Sequence, residues 1–347
     1  MSSSRSTIAT AFGAGEEGPA TVVFATLRYH ILVRRWIELA NRACCRHFRI
    51  VCMDRELARL LRREVGAQRA PYFYDFLPHL PRFTDEPPDR PHDTDRARRW
   101  RKHRQRMQVL MPLRLKFLRF LVENGCDFIH SDADAFWLDD PRPWLIRQGA
   151  DFDLLASQGT SLPRAHYLAH RFVLCAGFFY CRANDRTRDL FARADALIQA
   201  SPAVSHDTAG AEMDDQTALN LALLEDPRRR WRIEDPAFAL RYRWQWRSVP
   251  ASRAGKTLLA GLLASRVSAA ALDRALGFAR SALILTSERI IDGRFSNGLR
   301  VGVIPMRLVD RIAAARAGRP LVSHVKAHKA LVPNDPHAIG DAAPPVR

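Results

Sequence analysis

Apolar runs alternate with amphipathic segments from residue 20 onward, and this alternation predicts the first elements of the fold. The apolar runs Ala20–Thr26 and Phe48–Met53 have the length and composition of buried strands. The segments that follow them, Ile31–Cys44 and Glu56–Val65, have apolar residues at helical spacing. A strand–helix–strand–helix order favours a mostly parallel sheet covered by helices, so the expected fold class is α/β.

The same pattern continues through the rest of the chain. Met111–Asn124 predicts a helix that ends at Gly125, and Cys126–His130 predicts the strand after it. The other predicted elements are strands at Asp153–Ser157, Phe172–Cys181 and Leu321–Val325, helices at Arg186–Ala200, Asp215–Leu224 and 256–280, and a turn at Asn297–Gly298. Residues 71–95 predict a long ordered loop, and residues 225–252 predict irregular structure. We expect one domain over residues 19–335, whose C-terminal half completes the site, with flexible tails at 1–18 and 336–347.

The stretch Asp132–Pro141 carries the most informative chemistry. Asp132 and Asp134 follow the predicted strand Cys126–His130, and ligands of open α/β sheets gather at the carboxyl ends of strands. Two carboxylates this close repel each other unless a positive charge lies beside them. Mg²⁺ or Mn²⁺ carrying a diphosphate would supply that charge. Asp-x-Asp alone is a common acidic turn, but together with the Gly turn, the strand, an aromatic pair and an Asp-Pro stop it predicts a metal site for a sugar nucleotide.

Composition and charge narrow the choice of partners. At 347 residues, with 47% hydrophobic and 26% charged residues, the chain can form an ordinary folded core. The net charge of +17 favours anionic partners, namely nucleic acid, anionic lipid head groups or phosphorylated molecules. The excess of arginine over lysine suits phosphate contacts, or equally reflects a GC-rich genome.

Cysteine usage and hydropathy bear on the compartment. The six cysteines form no Cys-x-x-Cys pair, which predicts free buried thiols and a reducing environment. The first 17 residues have no apolar core typical of a signal peptide, and no uninterrupted apolar run approaches 18 residues. We therefore expect a cytoplasmic protein with a peripheral contact at the inner face of a membrane.

A set of landmarks occurs in a fixed order along the chain, over roughly residues 20–332. They are Val122–Pro141, Ala176–Tyr180, Asp214–Asn220, Phe295–Gly298, and finally His324 and Lys329. This order resembles the nucleotide-diphospho-sugar transferase family that includes rhamnogalacturonan-II xylosyltransferases. Two features depart from the family pattern: Cys175, two residues before Gly177, marks the loss of a usual Asn, and the spacing from His324 to Lys329 is compressed.

The resemblance implies a GT-A fold with a Rossmann-like sheet, a requirement for Mn²⁺ or Mg²⁺, and a UDP-sugar donor. It implies transfer of galactose or xylose to a glycan, glycolipid or other anionic acceptor, with retention of the anomeric configuration. Asp132, Asp134 and His324 become the expected metal ligands, and the imidazole favours Mn²⁺ over Mg²⁺. A core histidine satisfied by its neighbours is the alternative for His324.

Further residues take roles in the expected donor site. The residues expected to bind the donor and its metal are Thr26, Leu27, Arg28, Arg114, Asp132, Ala133, Asp134, His324 and Lys329. Asp215 and Gln216 are the expected catalytic groups at the sugar face, although an Asp at a helix start is also an ordinary cap. Arg114 could reach a phosphate from the helix before the motif strand, although the interpretation as surface charge is favoured. Lys326, His328 and Lys329 form a basic cluster that either balances the charge of departing UDP or is simply solvated.

Two other functions remain open at this point. A basic nucleic-acid-binding protein could use the arginine- and tryptophan-rich stretches Arg96–Arg106, Arg228–Arg232 and Arg241–Arg247. No nucleic-acid-recognition motif accompanies them, so no nucleic acid is expected as a partner. A glycosyltransferase fold that has lost catalysis and serves as a scaffold is the other alternative, and the intact acidic pair argues against it.

Overall fold

The computed structural model describes residues 12, 18–65, 110–159, 162–201, 213–240, 283–311, 320–324, 328 and 331. The helices are α1 (His30–Arg42), α2 (Arg55–Val65), α3 (residues 110–123), α4 (Arg142–Gly149), α5 (Arg164–His170), α6 (Asp185–Ala200) and α7 (Asp215–Leu224). The strands are β1 (Ala20–Ala25), β2 (Phe48–Cys52), β3 (Phe128–Ser131), β4 (Phe136–Trp137), β5 (Leu154–Gln158), β6 (Leu174–Cys181), β7 (Arg230–Arg232), β8 (Pro236–Leu240), β9 (Leu283–Ser287), β10 (Ile291–Arg294), β11 (Arg300–Ile304), β12 (Val309–Asp310) and β13 (Val322–Ser323).

The central sheet has eight strands within the described ranges, in the order β2-β1-β3-β6-β5-β11-β10-β7. Strands β6 and β10 run opposite to the other six, so the sheet is mostly parallel in direction. A second sheet joins β12, β13 and β4, and a third joins β8 and β9. The expected α/β class with a Rossmann-like sheet is confirmed.

Helices cover both faces of the central sheet because its strands are apolar on both sides. Successive residues of a strand point to opposite faces. Val22 of β1 accordingly packs in one core with residues of α3, α6 and α7, while Val23 packs in another with residues of α1, α2 and α4. Full burial of each such aliphatic side chain contributes about 1.5–3 kcal/mol. The two cores clamp the sheet, and its carboxyl edge stays accessible for a site.

Most predicted elements agree with the structure to within a few residues. The bounds of α7 match the prediction, and those of β1, β2, β3, β5, β6 and α6 differ from it by at most two residues at either end. The prediction of irregular structure for 225–252 is wrong where β7 and β8 form. These strands are set by pairing with β10 and β9, and not by apolar periodicity of their own. The helices α4 and α5 carry no clear periodicity and were not predicted.

Some predictions fall on residues that are not described. The loop at 71–95 and the helix at 256–280 lie outside the described residues, as do most residues of both predicted tails. Phe12, within the predicted N-terminal tail, is buried and packs against Phe117 with ring centroids 5.4 Å apart. The domain boundaries stay a prediction.

The six cysteines are free thiols, as expected, and five of them are buried. The expectation of burial is wrong for Cys44, which is exposed. In the part of the chain that is described, no helix combines the length and the apolar character needed to cross a membrane.

Candidate active site

A cavity of about 290 Å³ opens at the carboxyl ends of β1 and β3. Its walls come from the ends of these two strands, the start of β6, the first turns of α3 and α7, and two residues that follow β12 and β13. Parallel neighbours end at one edge of a sheet, and this edge is where α/β proteins place ligands. The cavity therefore lies where the sequence predicts a site.

The central sheet positions Asp132. β3 pairs antiparallel with β6, and Ser131 lies opposite Phe178. Asp132 directly follows β3, and its backbone N–H donates to the Gly177 carbonyl at 2.6 Å. A Cβ atom at Gly177 would overlap the His324 ring and the Asp132 carboxylate, so the close approach of these side chains requires glycine here.

The three-stranded sheet brings His324 to the same place. β13 pairs antiparallel with β4, with Ser323 opposite Phe136. His324 follows β13, and Asp134 lies just before β4, so the two side chains meet. The distance from His324 Nε2 to Asp134 Oδ1 is 3.1 Å, and that to Asp132 Oδ2 is 3.6 Å. Ligand atoms of Asp132, Asp134 and His324 all lie within 4.8 Å of one another, a group that could hold a metal ion.

His328 supports the Asp-x-Asp loop through a hydrogen bond to its backbone. Its Nδ1 lies 2.8 Å from the Asp134 carbonyl oxygen, which can only accept, so the ring donates this hydrogen bond. The same ring stacks on Phe136 with centroids 4.2 Å apart. The interpretation of His328 as part of a solvated basic loop therefore does not fit, since its ring is hydrogen-bonded and stacked. Lys326 and Lys329, the other members of that cluster, lie outside the described residues.

Arg114 bridges two carboxylates inside the cavity wall. Its Nε donates to Asp215 Oδ2 at 2.5 Å and its Nη1 donates to Asp132 Oδ1 at 2.7 Å. The side chain is only 8% exposed, so the interpretation of Arg114 as surface charge is wrong. A sequence signal for this burial existed: Arg114, Leu118 and Leu121 are spaced i, i+4 and i+7, on the apolar stripe of α3.

The pKa of Asp132 lies well below its usual range. Burial opposes this, but Arg114 and then His130 and His324 favour the charged carboxylate. His130 is itself fully buried, and its Nε2 lies 3.5 Å from Asp132 Oδ1. Asp132 is thus a stable anion, held in place by cationic and polar neighbours.

The N-terminus of α7 supplies Asp214, Asp215 and Gln216. The helix cap is Asp214, whose Oδ1 accepts from the Thr217 N–H at 2.7 Å, so the interpretation of Asp215 as the cap is wrong. Asp215 instead faces Arg114 and is 2% exposed. Gln216 lines the cavity, donates to the Leu162 carbonyl at 2.8 Å and accepts from the Ala176 N–H at 3.3 Å. Both predicted catalytic residues therefore lie at the cavity.

Of the three residues at the end of β1 that were predicted to bind the donor, only Thr26 lines the cavity. Ala133 from the Asp-x-Asp loop lines it as well. Leu27 and Arg28 belong to a short 3-10 helix, Leu27–Tyr29, and of its residues Tyr29 is the one that lines the cavity. The Leu27 N–H donates to Asp54 Oδ2 at 2.7 Å, which anchors this helix to the end of β2.

Sequence reasoning missed Arg311 and gave no role to Cys175, and both line the cavity. Arg311 follows the two-residue strand β12, and its Nη1 donates to the His324 carbonyl at 3.2 Å. Burial alone would raise the pKa of the Cys175 thiol, but Arg311 and His324 lower it to about 7. No motif of the chain pointed to Arg311, because its place depends on strand pairing between distant residues.

The cavity gathers carboxylates and an imidazole at the carboxyl edge of an α/β sheet, where such proteins bind ligands, and this set could hold a divalent cation. The chain belongs to the nucleotide-diphospho-sugar transferase family, whose model matches residues 44–283. It is accordingly a glycosyltransferase, and the resemblance is confirmed at this level. The narrower likeness to rhamnogalacturonan-II xylosyltransferases stays a prediction. Arg311 and His324 lie beyond the matched residues.

No curated protein sequence matches the chain. Among solved structures, the galactosyltransferase LgtC in complex with donor and acceptor sugar analogs is 16% identical, with a TM-score of 0.36, and the alignment covers 58% of this chain and 69% of that one. The glycosyltransferase GlyE in Streptococcus pneumoniae TIGR4 is 14% identical, with a TM-score of 0.32 and coverage of 58% and 42%. The bifunctional glycosyltransferase WbbM is 15% identical, with a TM-score of 0.35 and coverage of 58% and 37%. The family match, and not these low TM-scores, places the chain among nucleotide-sugar transferases.

Proposed function

We propose that the protein is a divalent-metal-dependent transferase that moves a sugar from a UDP-sugar to a glycan, glycolipid or other anionic acceptor, with retention of configuration. The observation that carries this proposal is the convergence of Asp132, Asp134 and His324 in the cavity of a chain that belongs to a nucleotide-sugar transferase family.

The residues present fit a divalent cation. Their potential ligand atoms are two carboxylate oxygens and one imidazole nitrogen, all within 4.8 Å of one another. Oxygen-rich sets suit Mg²⁺ and Mn²⁺, and the nitrogen shifts the preference towards Mn²⁺. When bound, the ion would offset the negative charge of the donor diphosphate. Gly177 keeps the space between Asp132 and His324 free of a side chain.

Arg114 organises the carboxylates that face the donor. By bonding both Asp132 and Asp215, it holds a residue of the metal group and a residue of the sugar face in one arrangement. We assign to Asp215 and Gln216 the stabilisation of positive charge on the sugar as its bond to the diphosphate breaks. Because Asp215 is already paired with Arg114, we assign it an electrostatic role and no covalent intermediate.

Thr26, with Leu27 and Arg28 behind it, and Ala133 form the proposed subsite for the nucleoside, since Thr26 and Ala133 line the cavity at the ends of β1 and β3. Lys329 is kept as a proposed diphosphate contact on the family resemblance alone. UDP-galactose and UDP-xylose are the first donors to test, on the same ground.

Calorimetry of UDP binding with and without Mn²⁺ tests the proposal. We expect affinity that depends on the metal and that is lost in Asp134→Asn. The matched control is Asp139→Asn, an exposed aspartate five residues away, which should bind as the unchanged protein does. UDP binding that ignores the metal would contradict the proposed metal site. A screen of sugar nucleotides with Mn²⁺, read out as hydrolysis and as the anomer of the product, then identifies the donor and tests retention.

The nucleic-acid alternative loses one of its supports. Trp231, a proposed stacking platform, packs against Phe172 and Phe295 with ring centroids 5.0 and 5.7 Å apart. The stretches Arg96–Arg106 and Arg241–Arg247 lie outside the described residues. If the protein bound RNA or DNA tightly without metal, with a steep dependence on salt, the glycosyltransferase proposal would need revision.

Cytoplasmic location and a peripheral contact with anionic membranes also belong to the proposal, and the net charge of +17 supports the contact. Sedimentation with vesicles tests it. Binding should require anionic lipid and weaken with salt, whereas equal binding to neutral vesicles would contradict an electrostatic contact. A UDP-binding protein that never hydrolyses or transfers any donor sugar would support the scaffold alternative.

A further inference from the structure

Arg311 is placed beside the metal group by the pairing of β12 with β13. The two strands are parallel, and Asp310 lies opposite Ser323. Arg311 directly follows β12 and His324 directly follows β13, so both extend from the same edge of the small sheet. The Asp310 carbonyl accepts from the His324 N–H at 2.8 Å, and Arg311 Nη1 donates to the His324 carbonyl at 3.2 Å. One backbone bond and one bond from the Arg311 side chain to the backbone therefore hold the two residues side by side.

The two arginines that line the cavity, within the part described, differ in what their guanidinium groups bind. Arg114 donates hydrogen bonds from Nε to Asp215 and from Nη1 to Asp132. Arg311 bonds a backbone carbonyl through Nη1, and its buried Nε has no hydrogen-bond partner among the described residues. A buried donor without a partner costs free energy, which is recovered when a ligand supplies an acceptor. Arg311 therefore has a donor left for a ligand, and among the described residues its guanidinium forms no ion pair with a carboxylate.

The charges in the cavity make such a cation useful. Four carboxylates line the described walls, on Asp132, Asp134, Asp214 and Asp215, against the guanidinium groups of Arg114 and Arg311. A nucleoside diphosphate adds more negative charge. Even with a divalent ion bound, an arginine fork that can contact two phosphate oxygens would reduce the repulsion. Arg311 lines the same cavity as these four carboxylates, so its charge lies where the diphosphate would bind.

We propose that Arg311 binds a phosphate group of the nucleoside diphosphate and stabilises it as the leaving group. The inference rests on the proposed function, and it assigns the phosphate contact to a residue of this chain beyond the part that the family model matches. The side chain acts on the ligand directly, through Nε and Nη2, while Nη1 keeps its bond to the His324 carbonyl.

Calorimetry with a series of ligands tests this assignment. In the presence of Mn²⁺, Arg311→Gln should weaken UDP binding by about tenfold to a hundredfold, the usual size of a hydrogen bond to a charged group. Uridine, which has no phosphate, should bind Arg311→Gln as it binds the unchanged protein. Arg311→Lys retains the charge but not the fork, so its affinity for UDP should lie between those of Arg311→Gln and the unchanged protein. The control is Arg307→Gln, four residues away, whose side chain is 54% exposed and pairs with Glu288; it should leave UDP affinity unchanged.

A second measurement separates a direct contact from an effect through His324. Mn²⁺ binding without nucleotide, followed by electron paramagnetic resonance, should be the same in Arg311→Gln as in the unchanged protein. Loss of Mn²⁺ binding, or equal weakening of uridine and UDP, would show that Arg311 only supports His324, and the assignment would be wrong. Unaltered UDP affinity in Arg311→Gln would overturn it as well. If the unchanged protein does not bind UDP at all, the proposed function itself fails, which is a distinct outcome.

Discussion

Ionisable side chains have opposite pKa shifts in the cavity and in a second group of buried and half-buried side chains, here called the histidine cluster. The histidine cluster consists of His166, His170, Phe172, Arg229 and Trp231. The rings of His166 and His170 lie 4.8 Å apart, and His170 Nε2 accepts from Arg229 at 3.3 Å. Burial, with no carboxylate among these neighbours, lowers the pKa of each of the two histidines to about 4. In the cavity, by contrast, Asp134 and Cys175 raise the pKa of His324 despite burial.

A candidate site differs from a polar core in whether its buried ionisable groups keep their charge. Burial by itself neutralises an imidazole, whereas an opposite charge beside it restores the charged form. In the histidine cluster both imidazoles are neutral and pack among aromatic rings beside the Arg229 guanidinium, and His166 also bonds the Phe172 carbonyl at 3.0 Å. The cavity concentrates ions that are costly to bury, and they are tolerated because they are paired with one another. Four experiments test whether the two regions differ in this way.

The largest effect is expected from Asp134→Asn. Neutralising this carboxylate removes one of three proposed metal ligands and the partner of His324, so hydrolysis of the preferred UDP-sugar with Mn²⁺ should fall by about a thousandfold. The change is measured as the initial rate at saturating Mn²⁺. Asp139→Asn serves as the control. A loss of less than about tenfold would mean that the cavity, like the histidine cluster, buries its polar groups for structural reasons.

Arg114→Met should show how strongly the paired charges of the cavity depend on one another. It leaves Asp132 and Asp215 without their shared cation, and the free energy of unfolding should fall by about 3 kcal/mol in a urea titration. Adding Asp215→Asn to this variant should recover part of the loss. Arg188→Met, which breaks an exposed pair with Asp185, should cost less than about 1 kcal/mol. Equal losses for Arg114→Met and Arg188→Met would contradict the pairing argument.

The parts of the site that follow long elements could be predicted from the sequence. The apolar runs of β1 and β3 and the helical pattern of α7 are local signals. They place Asp132, Asp134 and Asp215 at element ends, and the rule that ligands gather at the carboxyl edge of a sheet brings them together. Their contacts with one another were not predictable, because a sequence does not state which charge neutralises which.

The contribution of the small sheet could not be predicted in the same way. β12 and β13 have two residues each, too few for any periodicity, and their pairing sets the neighbourhood of Arg311 and His324. His324 was predicted only through the family resemblance, and Arg311 was missed. Short strands that pair across a long stretch of chain leave no local trace in the pattern of apolar and polar residues.

The histidine cluster should make stability depend on pH. Since the folded pKa of His166 and His170 is about 4 and the unfolded value is about 6.5, the unfolded state binds more protons between these values. Their contribution to stability is complete above pH 6.5 and is lost as the pH falls towards 4. We expect a decrease of about 2 kcal/mol in the free energy of unfolding between pH 7.5 and pH 5, after allowance for the partial exposure of His170. The double variant His166→Phe, His170→Phe should lose less stability over the same range, and an equal loss would contradict the neutral state of the two histidines.

The smallest effect is expected from His328→Phe, which tests whether His328 positions Asp134 through its hydrogen bond or only through ring stacking. His328→Phe can keep the stacking on Phe136 but loses the bond to the Asp134 carbonyl, so Mn²⁺ affinity measured by calorimetry should fall by about tenfold. The same replacement in the histidine cluster, His170→Phe, should leave Mn²⁺ affinity unchanged, because that ring touches none of the proposed ligands. If both variants bound Mn²⁺ equally well, the bond from His328 would have no part in positioning Asp134. If both weakened it equally, the two regions would be coupled, and their contrast would not hold.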